Sequence, residues 1–106
     1  MREKEIFNEM AQVDIDRILN KKIRTPDMVF YKQLYCYAMR RKFDLKLEFI
    51  ANTLVPHDNV NKRGMVHHSV VIHSIKKMDK LLVSKDHKYS ERAKEILNKI
   101  DTYEQN

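Results

Sequence analysis

Side chains that donate hydrogen bonds are concentrated in residues 66–80, whose sequence is VHHSVVIHSIKKMDK. Imidazole, hydroxyl and ammonium groups can all donate to phosphate oxygens or to acceptors on the edges of DNA bases. No carboxylate lies in this stretch before Asp79. These residues therefore predict a surface that binds DNA, and the alternative from the residues alone is a solvated face that happens to be basic. The donors are His68, Ser69, His73, Lys76, Lys77 and Lys80.

Histidines could also hold a metal ion or take part in catalysis. His68 and His73 are five residues apart in the chain, so they diverge by about 140° around a helix, whereas a zinc-binding pair at i and i+4 shares one face. The chain has one cysteine, Cys36, so it has no cysteine pair that could bind a metal. It has one glycine in 106 residues, so it has no glycine-rich loop that could bind a phosphate. We therefore expect no cofactor, no metal, no bound nucleotide and no enzymatic activity. The five histidines are His57, His67, His68, His73 and His87.

The spacing of apolar residues indicates the element that must position the donors. Four apolar residues follow one another at intervals of four, three and four, which is the stripe of a helix packed on a core. The donors fall outside this stripe, so we predict an amphipathic helix over residues 66–80 with its polar face exposed. The stripe consists of Val71, Ile75, Met78 and Leu82.

The net charge of +6 at pH 7 is unevenly spread along the chain. Residues 21–42 sum to +6 and residues 61–80 to +4, whereas residues 1–20 and 43–60 each sum to −2. Two basic segments separated by an acidic one predict a single electropositive face, which is typical of proteins that bind a phosphate backbone.

The composition predicts one compact all-α domain over residues 1–106, with a core over about 6–100. Hydrophobic residues make up 42% of the chain, and only one glycine and two prolines interrupt it. No apolar run reaches the roughly 18 residues of a membrane span, so we expect no membrane partner. The lone Cys36 fits a reducing compartment. The expected location is the cytoplasm, and Cys36 is expected to be buried and inert.

Two helices are predicted near the N-terminus. Apolar residues at helical spacing predict the first over residues 3–10, with a break near Gln12. Asp14 is expected to cap a short second helix that ends at Leu19. A basic connector over residues 20–24 follows.

A strong start signal opens the third predicted helix, over residues 26–42. Thr25 supplies a capping hydroxyl, Pro26 occupies the first helical position, and Asp27 lies at the positive end of the helix dipole. Asp44 is then expected to open a fourth helix that ends at residue 54.

The remainder of the chain completes a helix-turn-helix order. Residues 55–65 contain a proline, two asparagines and the one glycine, which predicts a long loop. The pattern of a helix, a loop and then the basic helix is that of proteins whose second helix enters the major groove. A last helix is predicted over residues 90–100.

In this order the segments resemble the C-terminal DNA-binding domain of the bacterial replication initiator DnaA. The chain's KQLYCYAMRRKFDLKLEFIANTL and HHSVVIHSIKKM are similar to the family's RQxAMYLxRELT, LSLPxIGxxF and DHTTVxHAxxKI. The upstream IDRILNKKIRT resembles DLLSKRRS, so the likeness covers about residues 6–100. Its most specific part is HSVVIHSIKKM.

The resemblance implies a freestanding TrpR-like helix-turn-helix that binds a short double-stranded DNA element, as a replication or transcription regulator associated with the nucleoid. His68 and Ser69 match positions where the family contacts bases in the major groove, and Arg24 matches its minor-groove arginine. Lys32 and Arg40 match basic residues that contact the DNA backbone. With the donors of the predicted helix, the candidate DNA-binding residues are Arg24, Thr25, Lys32, Arg40, His67, His68, Ser69, Val70, Lys76 and Lys77.

Three departures from the family pattern affect the expected target. The family's leading aspartate is His67 here, its second threonine is Val70, and a longer loop replaces its tight GGR turn. An aspartate accepts a hydrogen bond from the cytosine amino group, and histidine does not replace it in the same way. The target sequence is therefore expected to differ from that of the family.

The alternative hypothesis is a protein interaction module that kept the fold and lost DNA binding. Its surface would be the long loop with exposed Val70 and Ile72. The cations that match the family pattern argue against it, since a protein interface has no reason to keep them in register. A protein partner is possible under both hypotheses.

Overall fold

Six α-helices form in the part of the chain that the computed structural model describes, residues 1–19, 25–54, 68–85 and 87–105. None of these residues lies in a β-strand, so the predicted all-α class is confirmed. The predicted connector over residues 20–24 and the predicted loop over residues 55–65 lie outside the described residues. The helices are α1 (Arg2–Ala11), α2 (Ile15–Leu19), α3 (Pro26–Arg41), α4 (Leu47–Thr53), α5 (His68–Leu82) and α6 (His87–Gln105).

The break between α1 and α2 lies where the sequence predicts it. Gln12 adopts a left-handed conformation with φ 58° and ψ 43° and ends α1. The Asp14 carboxylate accepts a hydrogen bond of 3.3 Å from the backbone N–H of Arg17, which caps α2 as predicted. The Asn8 side chain accepts a further bond of 2.9 Å from the Ile15 N–H. These bonds fix the angle at which the chain turns from α1 into α2.

The start of α3 also follows its local sequence signal. The Thr25 hydroxyl accepts a hydrogen bond of 3.2 Å from the Met28 N–H, and Pro26 is the first helical residue. Since both features act within one turn, neighbouring residues alone determine this boundary. The helix ends at Arg41, one residue before the predicted end.

The predicted start of α4 at Asp44 is wrong. Asp44 has a positive φ of 54° and lies in the link between helices, and α4 begins at Leu47. The Leu45 N–H donates to the Met39 carbonyl at 3.0 Å, so residues 43–45 fold back over the end of α3. Aspartate tolerates the left-handed region better than most residues, and here it makes that turn instead of capping a helix.

The last helix, α6, is longer at both ends than the predicted 90–100. Its middle buries the predicted apolar residues, and Tyr89, which lies before the predicted start, also packs against the core. The inward residues are Ala93, Ile96, Leu97 and Ile100.

The core lies around α3, which packs against each of the other five helices. The helix α5 packs against α3, α4 and α6. The first and last helices also pack together, and the Arg92 guanidinium donates a hydrogen bond of 2.9 Å to the Ala11 carbonyl at the end of α1. The largest fully buried side chains include Phe7, Leu34, Tyr35, Met39, Ile50, Met78 and Ile96.

A polar chain of contacts anchors the end of α4. The Tyr35 hydroxyl lies 2.6 Å from the Thr53 hydroxyl, which itself donates to the Ile50 carbonyl at 2.7 Å. Lys4 of α1 donates to the Thr53 carbonyl at 3.0 Å and to the Asp16 carboxylate at 2.9 Å. Side chains of α1 and α3 therefore bond directly to the end of α4, the helix that precedes the basic segment, and Asp16 of α2 holds Lys4 in place.

Cys36 is fully buried, as predicted. Burial raises the pKa of the Cys36 thiol from its ordinary value near 9 to about 12. A buried thiol with a raised pKa is protonated at neutral pH and is a poor nucleophile.

Stability is expected to fall as the pH rises above 9, because the unfolded chain then releases the Cys36 proton while the folded chain keeps it. The contribution of Cys36 is complete below pH 9 and is lost progressively up to about pH 12. At pH 10 the loss should be about 1 kcal/mol. Urea unfolding at pH 8 and pH 10 measures it. In Cys36→Ala the difference between the two pH values should shrink, and an unchanged difference would assign it to other groups.

Candidate nucleic-acid interface

The helix α5 has the two faces that the sequence predicts. Val71, Ile75 and Met78 of its apolar stripe are buried, and Leu82 at the end of the stripe is half-buried against the core. Ser74 is buried beside the stripe. All six predicted donors are exposed. Five of them share the other face, whereas His68 precedes Val71 by three residues and so lies in line with the stripe at the start of the helix. The first turn of α5 carries no acidic residue, and Asp79 is the one acid in the helix. The exposed donors are His68, Ser69, His73, Lys76, Lys77 and Lys80.

A cleft of about 630 Å³ lies between α3 and α5. Lys32 from α3 and Ser69 from α5 both line it, although they are far apart in the sequence. Lys32 is half-buried and Ser69 is exposed. The packing of the two helices thus places a predicted backbone-contacting residue beside a predicted base-contacting residue. The other lining residues are Val29, Gln33, Val70, His73 and Ser74.

A second cleft, of about 480 Å³, lies at the first residue of α5. It brings Arg40 of α3 beside His68 of α5, with Lys46, Leu47 and Glu48 from the start of α4 as the remaining lining residues. Two predicted site residues from different helices therefore share this cleft too. The Glu48 carboxylate partly offsets the positive charge of Arg40 and Lys46.

Arg40 also has a structural contact that the sequence did not predict. Its guanidinium donates a hydrogen bond of 3.1 Å to the Leu45 carbonyl, in the link between α3 and α4. The neighbouring cations contact other helices: Arg41 reaches Asp79 of α5 at 3.5 Å, and Lys42 reaches Asp101 of α6 at 2.9 Å. This basic triplet therefore joins the end of α3 to three other parts of the fold.

Thr25 is exposed, and its hydroxyl accepts the capping bond at the start of α3. The start of this helix is tied to α6, because the Tyr89 hydroxyl donates to the Asp27 carboxylate at 2.6 Å. The predicted contacts Arg24 and His67 lie outside the described residues.

Two apolar residues of α5 are less exposed than the interaction hypothesis requires. Val70 and Ile72 are both half-buried, and Val70 packs against the core. They fall between the apolar stripe and the polar face, so the neighbouring helices cover part of each side chain.

The clefts include residues that the sequence analysis did not single out. Gln33 and Val29 line the first cleft, and Lys46 lines the second. Gln33 is next to Lys32 in the chain, and Lys46 is the one cation in residues 43–60. Charge sums over long segments concealed Lys46, because the surrounding residues are acidic.

Comparisons of the chain with models of known families, with characterised proteins and with solved structures found no match. Within the described ranges, no three histidine, cysteine, aspartate or glutamate side chains cluster in a way that could hold a metal ion. His57 and His67 lie outside those ranges. No described helix combines the length and the apolar character needed to cross a membrane.

Proposed function

We propose that this protein binds double-stranded DNA sequence-selectively through a TrpR-like helix-turn-helix, in which α4 supports α5 and α5 enters the major groove. The observation that carries the proposal is the exposed face of α5, where five hydrogen-bond donors lie opposite the packed apolar stripe and a sixth, His68, is exposed in the first turn. The packing of α4 against α5 is compatible with this motif. The resemblance to the C-terminal domain of the initiator DnaA supports the same function, as a replication or transcription regulator in the nucleoid.

The two clefts beside α5 support a division of roles. His68 and Ser69 lie in the first turn of the described helix, which is the part that contacts base edges in helix-turn-helix proteins. Lys32 of α3 lines the same cleft as Ser69 of α5. A cation at this place can bind a DNA phosphate next to the bases that α5 contacts. Lys76 and Lys77, farther along α5, add positive charge to the same exposed face.

Selection of bound sequences from a random duplex pool tests the proposal. A sequence-selective protein enriches one short motif over successive rounds, because base contacts discriminate whereas phosphate contacts do not. A pool that binds but stays random would contradict sequence selectivity, and a pool that is not retained at low salt would contradict DNA binding itself.

A second candidate function is a protein interaction module without DNA binding. One observation favours it: the Phe49 side chain of α4 is 48% exposed, and exposed aromatic residues are enriched at protein interfaces. This function predicts that the random pool is not retained, so the selection experiment separates the two candidates.

Replacing Lys32 or Lys77 with alanine is expected to weaken binding to all duplexes alike. Each lysine that contacts a phosphate releases counterions, so its loss should flatten the plot of log affinity against log salt by about 0.9. Titrations of a selected and a scrambled duplex at several salt concentrations measure both effects.

Lys94→Ala is the matched control, because Lys94 is exposed on α6, outside both clefts, and its loss changes the net charge equally. Its salt slope should match that of the native protein. Equal slopes for Lys94→Ala and Lys32→Ala would show that the total charge, and not the surface around α5, governs binding.

A further inference from the structure

Arg41 and Asp79 form an ion pair between α3 and α5 that is open to solvent. The Arg41 Nη2 atom lies 3.5 Å from the Asp79 Oδ2 atom, and the two side chains are 53% and 46% exposed. A separation of 3.5 Å is long for a charge-assisted hydrogen bond. Exposed pairs of this kind contribute little to stability and are readily exchanged.

The other two cations at the end of α3 are held more closely. Arg40 donates to the Leu45 carbonyl at 3.1 Å, and Lys42 lies 2.9 Å from Asp101 with its side chain only 26% exposed. Arg41 is therefore the cation of this triplet with the longest contact and the most exposed side chain.

Asp79 lies beside the cations of α5. It is next to Lys80 in the chain and three residues after Lys76, so it neighbours Lys76 on the helix surface. All three residues are exposed. A carboxylate at this place repels phosphate groups that approach the lysines, and it also occupies the Arg41 guanidinium.

We propose that Arg41 is a further phosphate-binding residue and that Asp79 is its intramolecular competitor. On this proposal, which rests on the proposed DNA-binding function, a DNA phosphate replaces the Asp79 carboxylate as the partner of Arg41. The guanidinium suits the exchange, because its fork of N–H groups binds carboxylate and phosphate in the same two-point geometry. Asp79 thereby lowers the affinity of the protein for all DNA duplexes, whatever their sequence, and so weakens non-specific binding.

Asp79→Asn is expected to tighten binding to selected and scrambled duplexes alike, by on the order of threefold to tenfold near 0.1 M salt. Arg41→Ala is expected to weaken binding to both and to flatten the salt slope by about 0.9. Arg41→Lys keeps the charge but loses the fork, so it should recover the slope and only part of the affinity.

The double variant tests the exchange itself. In an Arg41→Ala background, Asp79→Asn should gain about half as much affinity or less, since part of its effect is to release Arg41. If Asp79→Asn increased DNA affinity equally with and without Arg41, the proposal that the Asp79 carboxylate competes with phosphate for Arg41 would be overturned.

Asp101→Asn is the matched control. Asp101 pairs with Lys42, the residue next to Arg41, and its replacement changes the net charge by the same amount on α6. Its affinity should stay within about twofold of the native protein, because long-range charge is screened at this salt concentration. Circular dichroism and thermal unfolding verify that each variant is folded.

The outcomes separate this inference from the proposed function. If the native protein binds duplex DNA but Asp79→Asn and Asp101→Asn have the same affinity, the role of Asp79 is overturned and DNA binding stands. If Arg41→Ala leaves affinity and salt slope unchanged, Arg41 is not a phosphate contact. If the native protein binds no duplex at low salt, the proposed function and this inference fail together.

Discussion

Replacing His68 or Ser69 with alanine is expected to lower the affinity for the selected duplex by about 1 to 3 kcal/mol each, and the affinity for scrambled DNA far less. Both side chains are exposed in the first turn of the described α5, and each lines a different cleft. Hydrogen bonds to base edges are lost only on the duplex that offers matching acceptors. Titrations of selected and scrambled duplexes at one salt concentration measure the specificity ratio.

Lys77→Ala serves as the comparison, because Lys77 is exposed on the same helix and is expected to bind a phosphate. It should lower both affinities by the same factor and leave the specificity ratio unchanged. If His68→Ala also lowered both affinities equally, α5 would not be the helix that contacts bases.

Replacing Tyr35 with alanine is expected to destabilise the protein by about 3 to 5 kcal/mol. The ring is fully buried and meets the Phe7 ring edge-on at a centroid distance of 5.3 Å. The variant loses this packing, leaves a cavity between α1 and α3, and removes the hydroxyl beside Thr53. Because a domain of this kind is stable by only about 5 to 15 kcal/mol, urea unfolding should show a large shift in midpoint.

Tyr35→Phe separates the ring from the hydroxyl. It keeps the contact with Phe7 and loses one hydrogen bond, which should cost about 1 kcal/mol. Thr53 retains its bond to the Ile50 carbonyl at 2.7 Å, so the end of α4 stays capped. If Tyr35→Phe were as destabilising as Tyr35→Ala, the hydroxyl contact and not the packed ring would account for most of the contribution of Tyr35 to stability.

The boundaries that the sequence predicted correctly depend on neighbouring residues. Thr25 and Asp14 each accept a backbone N–H three residues ahead, so four residues contain the whole signal. The start of α4 was missed because an aspartate favours both a helix cap and a left-handed turn. The choice at Asp44 depends on backbone bonds that residues 43 and 45 make with the end of α3.

The exposure of the α5 donors could be predicted because one helix contains the information. The exposed face of α5 follows from the apolar stripe, because every donor except His68 points away from that stripe around the same axis. Contacts between helices were not predictable in this way. Arg41 and Asp79 are 38 residues apart, and only the packing of α3 against α5 brings them together. The same holds for the bond between Arg40 and the Leu45 carbonyl, which depends on how the chain leaves α3.

The contact between the first and last helices has a consequence for the time course of folding. The bond from Arg92 to the Ala11 carbonyl joins residues 81 positions apart, and α6 also supplies Ile96 and Ile100 to the core. A nascent chain on the ribosome therefore completes its core only after α6 has been synthesised. Until then the apolar side of α1 lacks one of its partners and is open to chaperones or to aggregation. We expect the native state to form in one late step, which pulse proteolysis of chains arrested before and after α6 would detect.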